Sequence, residues 1–311
     1  MTNSIDFHAL GADNTLTIFG GGSADTLTKS SALVDAYAKL LSFYKADSII
    51  GQINQAAGQA PVHVPVRAVF NLIARAVAWS KRKMGYNALI GPAVALWRIG
   101  FDDARVPSAA EQAEVLALTD PELVYLDPEA QTVFLQKAGM AIDLGGIAKG
   151  FIIDELARLW EQEGVTGGRI DLAGNCRLVG NSDAGVPLWQ VPITDPREPN
   201  RPAIATLTTA PCAVVTTGIY FRHFDQNGHV YHHLIDPTTG APVESSMASI
   251  TVVADTAEKA DVLSSIGFYA GLPQGYDEIE DNGAEAVFIT KDTQLYKTAG
   301  LRETLMPTMG A

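Results

Sequence analysis

The sequence predicts an α+β fold: a helix-rich N-terminal part and mostly antiparallel strands in the C-terminal part, forming one compact unit. Two patterns predict it. Apolar residues recur at three- and four-residue spacing through the first part. Later they fall into short alternating runs separated by turn clusters, Asn181-Ser182-Asp183, Pro196 to Pro202 and Gln226-Asn227-Gly228, the mark of hairpins. No repeat of fixed period and no low-complexity linker divides the 311 residues. The chain therefore reads as a single domain, or as two interlocked subdomains without a clean linker.

In order, His8 to Phe19 reads as a turn followed by a strand, and Ala24 to Phe43 as an amphipathic helix carrying Leu27, Leu33, Tyr37, Leu40 and Leu41. Tyr44 and Asn54 stand out near helix or loop ends. Pro61 to Pro65 is extended. Val66 to Lys83 is a second helix, and its closing Lys81, Arg82 and Lys83 suit a helix C-terminus. Turns are expected at Gly85 and at Gly91-Pro92, a turn and helix over Asp103 to Thr119, and a hairpin over Leu123 to Leu135. Strands then follow at Arg169–Val179, Trp189–Ile193, Ile204–Leu207, Ala213–Thr216, Val230–Ile235, Ser249–Val253 and Ala286–Ile289, with one helix, Thr256 to Gly271, among them.

Between the two halves lies Ala141 to Leu156, AIDLGGIAKGFIIDEL. An apolar run delivers Asp143, two glycines follow, and helical spacing begins at Ile147. Asp143 and Lys149 then flank a strand-to-helix turn without bulky side chains, open to close approach by an anionic, phosphate-bearing ligand. A tight connection with a surface ion pair accounts for the same residues equally well. It is neither a Walker A loop nor GxGxxG.

The net charge of −13 argues against a general nucleic-acid binder, though a small site can be locally positive. Cys176 and Cys212 form no metal-ligand pair by spacing; one disulfide is open to them but nothing demands it, and buried free thiols are the better reading. The N-terminus MTNSIDFHAL has neither a basic n-region nor an apolar h-region, and no stretch is long enough to span a bilayer. As written, the expectation is a cytoplasmic protein; an exported form remains open if a leader has been trimmed.

Three further clusters carry polar chemistry. Thr216 to Arg222 sets two hydroxyls and a glycine beside an apolar strand, to hold phosphate oxygens or simply to close a turn. Tyr231 to Gly240 is rich in histidine: half of the chain's six lie between His229 and His233. Alternation points His232 and His233 to opposite faces, so one is expected at a site and the other structural or solvent-facing. A His beside Asp236 suits a general base, although a packed histidine is commoner and DPTTG is itself a turn signal. On the last helix Asp261 and Ser265 are four residues apart and share a face. Carboxylate and hydroxyl are hard donors suited to Mg²⁺; an aspartate favoured by the helix dipole, beside an ordinary serine, is the plainer explanation.

Taken together, DLGGIAKGF (Asp143 to Phe151), GNCRLVG (Gly174 to Gly180), TTGIYFRHF (Thr216 to Phe224), HLIDPTTGAPV (His233 to Val243) and ADVLSS (Ala260 to Ser265), followed by Gly271, resemble the ApbE-type FAD:protein FMN transferase family. The resemblance runs over nearly the whole chain, and the order of the five segments is its strength. It implies that FAD and Mg²⁺ are used to attach FMN, through a phosphoester, to a Thr or Ser of an acceptor protein, with release of AMP. By position, Asp143, Lys149, Leu10, Tyr44, Gly85, Tyr86, Asn87 and His233 would contact FAD. The Gly146 carbonyl, Asp261 and Ser265 would hold the metal. His233 would deprotonate the acceptor hydroxyl, and Asp261 would be essential to turnover through the metal. The chain departs from the family at Asn87 (usually Asp), Leu89 (usually Thr), Ser265 (usually Thr), Ala173 (usually Gly) and Leu10 (usually Met), and it lacks the usual export signal. Two alternatives remain: an FAD pyrophosphatase in which water replaces the acceptor, and an FAD-binding protein without turnover.

Overall fold

The computed structural model describes residues 2–197, 203–220 and 222–308. Part of the Pro196-to-Pro202 turn cluster, and Phe221 within the Thr216-to-Phe224 segment, lie outside the described residues. The chain opens with a hairpin, Asn3–Ala9 (β1) and Ala12–Gly20 (β2), paired from Asn3↔Ile18 to Ala9↔Ala12. His8 therefore belongs to a strand rather than to a turn. Alternate residues of β1 are polar and exposed, as suits an outermost strand, and this hid it in the sequence. Leu10 and Gly11, at φ 58° and 72°, make the left-handed two-residue turn that follows the twist of a hairpin.

Helices come next: Ala24–Leu40 (α1) and Ile49–Gln55 (α2), then the short strand Val62–His63 (β3) and the helix Arg67–Lys81 (α3). Gly91–Trp97 (α4) replaces the turn expected at Gly91-Pro92, because proline in the first turn of a helix loses no hydrogen bond. Ala109–Leu116 (α5) starts on a capping box in which Ser108 and Glu111 satisfy each other's backbone amides. The hairpin Val124–Asp127 (β4) and Thr132–Leu135 (β5) follows, then Ala148–Gln162 (α6). Asp143 ends no strand: residues 141–144 have no regular structure.

The strand-rich part runs Gly167–Leu172 (β6), Asn175–Gly180 (β7), Trp189–Ile193 (β8), Ala205–Thr209 (β9), Ala213–Gly218 (β10), His223–Gln226 (β11), His229–His232 (β12) and Met247–Ala254 (β13). Ala257–Ala270 (α7), Gln274–Asp281 (α8), Glu285–Thr290 (β14), Leu295–Lys297 (β15) and Leu305–Pro307 (β16) close it. Among the described residues two α-helices, not one, interrupt these strands. The architecture is α+β, with helices concentrated early and strands late.

The expected single strand Arg169–Val179 is two, folded back at Ala173-Gly174 with Leu172 opposite Asn175. Ala173 has φ 56°, a left-handed backbone that costs a residue with a Cβ about 1 kcal/mol relative to glycine. Ala173→Gly is therefore expected to stabilise the protein by about 1 kcal/mol, measurable as a higher urea midpoint.

The residues group into two compact units. The first comprises Met1–Ala38, Lys149–Gly218 and Ser246–Ala311. Its antiparallel sheet has the order β1-β2-β6-β7-β10-β13-β14-β15, and α7 lies against β10 and β13. A second sheet, β16-β9-β8, buries Trp189, Val191, Ile193 and Leu207 with Cys176, Leu178, Val287 and Ile289 of the larger one. Cys176 and Cys212 are free, and burial pushes the Cys176 thiol up to about 12. The second unit comprises Lys39–Ala148 and Ile219–Ser245. It holds the sheet β3-β5-β4, the hairpin β11-β12, and a core of Ala93, Trp97 and Ile235, with the Trp97 indole donating to the Gly240 carbonyl at 2.6 Å. Among the described residues no helix is long and apolar enough to cross a membrane.

Candidate active site

In the first unit the sequence-predicted residues gather around α6, α7 and one end of the large sheet. Gly150, in the first turn of α6, lies so near the start of α7 that a Cβ there would stand 2.3 Å from the Ala257 carbonyl oxygen. The neighbouring Lys149 is half-buried. Asp261, on α7, is 3% exposed, and its Oδ2 accepts the Gly150 amide at 3.0 Å. Its Oδ1 makes no hydrogen bond among the described residues. Burial pushes the Asp261 carboxyl up, against the opposing charge of Lys149 and the Gly150 amide. A position in the second turn of α7, wholly inside the protein, does not fit an aspartate placed for the helix dipole, which acts within the first turn.

Ser265 is also buried, its hydroxyl 3.3 Å from the Asp261 carbonyl. Its neighbour Ser264, which spacing did not single out, donates to the same carbonyl at 2.8 Å and meets the Thr217 hydroxyl at 2.7 Å. That contact pins α7 to β10. Thr216 is likewise engaged, with the Thr251 hydroxyl at 2.8 Å and the Asn175 side chain at its amide. The pairing Asn14↔Leu172 sets the Leu10-Gly11 turn beside the Ala173-Gly174 turn, and Val214↔Cys176 points the end of β10 the same way. Leu10 and Thr216 thus share one end of the sheet.

In the second unit, Asn54 grips the backbone ahead of the glycine turn, accepting from the Ile142 amide at 2.7 Å and donating to its carbonyl at 3.0 Å. Asp143 follows, its amide on the Ala88 carbonyl and its Oδ1 accepting from Gly145 at 2.8 Å. Buried Ile142, Leu144 and Ile147 anchor this stretch, leaving Gly146 half-buried. Tyr44 is 58% exposed and meets Phe43 and Phe101 edge-on, each with ring centroids at 5.1 Å. Partial burial pushes its phenol up, helped by Asp143 and opposed by Arg222 and Arg98. A cavity of about 290 Å³ opens beside it, lined by Phe43, Lys45, Gly51, Asn54 and Ala141 among others.

Gly85 takes φ 91°, and Tyr86 is buried, with 5% of its surface exposed. Asn87 is bound at both ends: its oxygen accepts the Leu89 amide at 2.9 Å, and its nitrogen donates to the Thr119 carbonyl at 2.8 Å. An aspartate cannot make the second bond. Asn87→Asp is expected to cost about 1–2 kcal/mol, seen as a lower melting temperature. Leu89 is fully buried, which leaves no polar role for that position.

His232 and His233 separate as alternation requires. His232 is buried, with Nε2 donating to the Val243 carbonyl at 3.1 Å. His233 is half-buried; its amide and its Nδ1 both lie on the Arg222 carbonyl, at 3.1 and 3.2 Å. A carbonyl only accepts, so Nδ1 carries a proton, and in the neutral form of the ring the lone pair is on Nε2. Asp236 holds the following turn, accepting from the Thr238 amide and hydroxyl at 2.7 and 2.6 Å. It does not orient His233.

The protein is thus an α+β chain whose buried carboxylate, lysine, glycine turn and histidine form two groups of polar side chains, one in each unit. Its fold is shared with the crystal structure of the ApbE protein from Thermotoga maritima: TM-score 0.89, 26% sequence identity, 96% of this chain and 98% of that one covered. The family model described as the ApbE family matches residues 10–288, and the chain belongs to the ApbE family. It is 36% identical over 277 residues to an FAD:protein FMN transferase of Klebsiella pneumoniae, covering 88% of this chain and 85% of that protein. It is 34% identical over 276 residues to one of Treponema pallidum, covering 84% and 76%.

Proposed function

We infer that the chain is an FAD:protein FMN transferase that moves the FMN half of FAD onto a Thr or Ser hydroxyl of an acceptor protein, releasing AMP. Membership of the ApbE family and the names of its relatives support the activity. The observation that carries the reading to particular residues is Asp261, a buried carboxylate whose Oδ1 makes no hydrogen bond among the described residues and whose electrostatic neighbour is Lys149.

The donors fit Mg²⁺. Asp261, Ser265 and the Gly146 carbonyl offer only hard oxygens, and Mg²⁺ takes few protein ligands beside waters and substrate phosphates. A bound Mg²⁺ would offset charge on the diphosphate and on the departing AMP. Lys149 adds positive charge for the same oxygens. Asp143, with its turn held by Asn54, and Tyr44, with its exposed ring, orient the substrate. His233 removes the acceptor's proton through Nε2, while Nδ1 stays on Arg222. The new bond joins the acceptor oxygen to the FMN-side phosphorus, the phosphoanhydride bond breaks, and AMP carries off the electron pair.

The test is incubation with FAD and Mg²⁺, with and without a peptide bearing an Asp-x-x-Ser/Thr-Gly/Ser/Thr-Ala motif. Mass spectrometry is expected to find covalent FMN on the peptide. AMP released without the peptide at the same rate would make the protein a pyrophosphatase, and no product in either case would make it a binder of FAD.

A further inference from the structure

Gly150 and Asp154 stand one turn apart on α6, and Ala257, Glu258 and Asp261 span about one turn of α7. Between the helices the hydrogen bonds run both ways. Asp261 of α7 accepts the Gly150 amide of α6 at 3.0 Å. Asp154 of α6 accepts the Ala257 amide on Oδ1 and the Glu258 amide on Oδ2, both at 2.9 Å. All three amides belong to first turns, whose donors have no partner inside their own helix. Each helix therefore caps the other, and the bare Gly150 backbone lets them close to this distance.

Asp154 is 9% exposed, on the helix face it shares with the buried Gly150 and Phe151. Burial pushes its carboxyl up against the two amides that hold it, so a charge there is costly. An apolar side chain would fill the space without that cost. It would not fix the rotation and the axial position of α7, which a carboxylate bonded through both oxygens does.

We propose that Asp154 is a positioning residue: by clasping the start of α7 it sets Asp261, one turn on, against Gly150 and Lys149, and so sets the affinity for a divalent cation. The proposal rests on the reading of Asp261 as a metal ligand. Asp154 itself touches nothing that reacts.

The test is titration of the metal-free full-length protein with Mn²⁺, read by the loss of the free-ion electron paramagnetic resonance signal, at a temperature where every variant is folded. Asp154→Ala is expected to weaken Mn²⁺ binding about tenfold or more. Asp154→Asn, which keeps one acceptor oxygen, is expected to fall between it and the wild type. Leu207→Ala, a cavity in the core of the smaller sheet, is expected to lower the melting temperature and leave Mn²⁺ affinity unchanged. Wild-type affinity in both Asp154 variants would overturn the proposal, as would an equal loss in Leu207→Ala. Should Asp154→Ala not fold, Asp154→Asn decides alone, since its two amides still compete for a single acceptor. Failure of the underlying reading looks different: the wild type takes up no Mn²⁺, or Asp261→Ala takes up as much as the wild type, and the positioning role then falls with it.

Discussion

Replacing Asp261 with asparagine is expected to raise the melting temperature of the metal-free protein at pH 7 by a few degrees while lowering FMN transfer at least about a hundredfold. The two effects share one cause. Asparagine still offers an oxygen to the Gly150 amide, so the local geometry survives, but the desolvated charge is gone. The sign follows from the direction of the shift. Burial raises the folded-state carboxyl above its ordinary value near 3.8. The stability linked to the protonated form is therefore fully present below that value and is lost as pH rises through the higher folded one. The gain on going to asparagine should accordingly be small near pH 4 and larger at pH 7. Calorimetry of the two metal-free proteins at both pH values checks it; equal gains at both, or a loss at pH 7, would refute it.

His233→Ala is expected to reduce transfer about 10²–10⁴-fold with little change in FAD affinity. The variant keeps the His233 amide on the Arg222 carbonyl, so the backbone link beyond β12 persists. Only the ring is lost, with the Nε2 lone pair that its Nδ1 contact defines. Added imidazole should restore part of the rate, because it replaces a proton acceptor and not a packing residue. Equal losses in rate and in FAD affinity, without rescue, would assign His233 to binding alone.

What could be read in advance divides along physical lines. The strand Trp189–Ile193 and α7 were legible because strict alternation and a long apolar face leave one periodicity that fits. The break at Ala173-Gly174 was not, since alanine gives no signal of a left-handed turn. The proline of Gly91-Pro92 pointed to a turn where it began a helix. At the site, four-residue spacing singled out Asp261 and Ser265 and the motif resemblance gave them their role; the single turn between them is a local fact. Asp154 was invisible for the opposite reason: the amides it holds lie 103 and 104 residues on, and no spacing rule reaches so far. Asn87 shows a third case. Its departure from the family pattern suggested a lost charge, whereas its nitrogen does work that a carboxylate cannot, holding the Thr119 carbonyl.

The order of the large sheet has a consequence for how the protein is made. As the chain leaves the ribosome, the hairpin β1-β2 emerges well ahead of its next neighbour, β6, which begins only at Gly167. Until then one edge of β2 is exposed to any passing polypeptide, and so many non-local pairings imply a high contact order and slow folding. The edge of β10 waits again, through Ile219–Ser245, for β13. A nascent chain stalled at either point presents open strands of the kind that chaperones shield and that aggregates recruit.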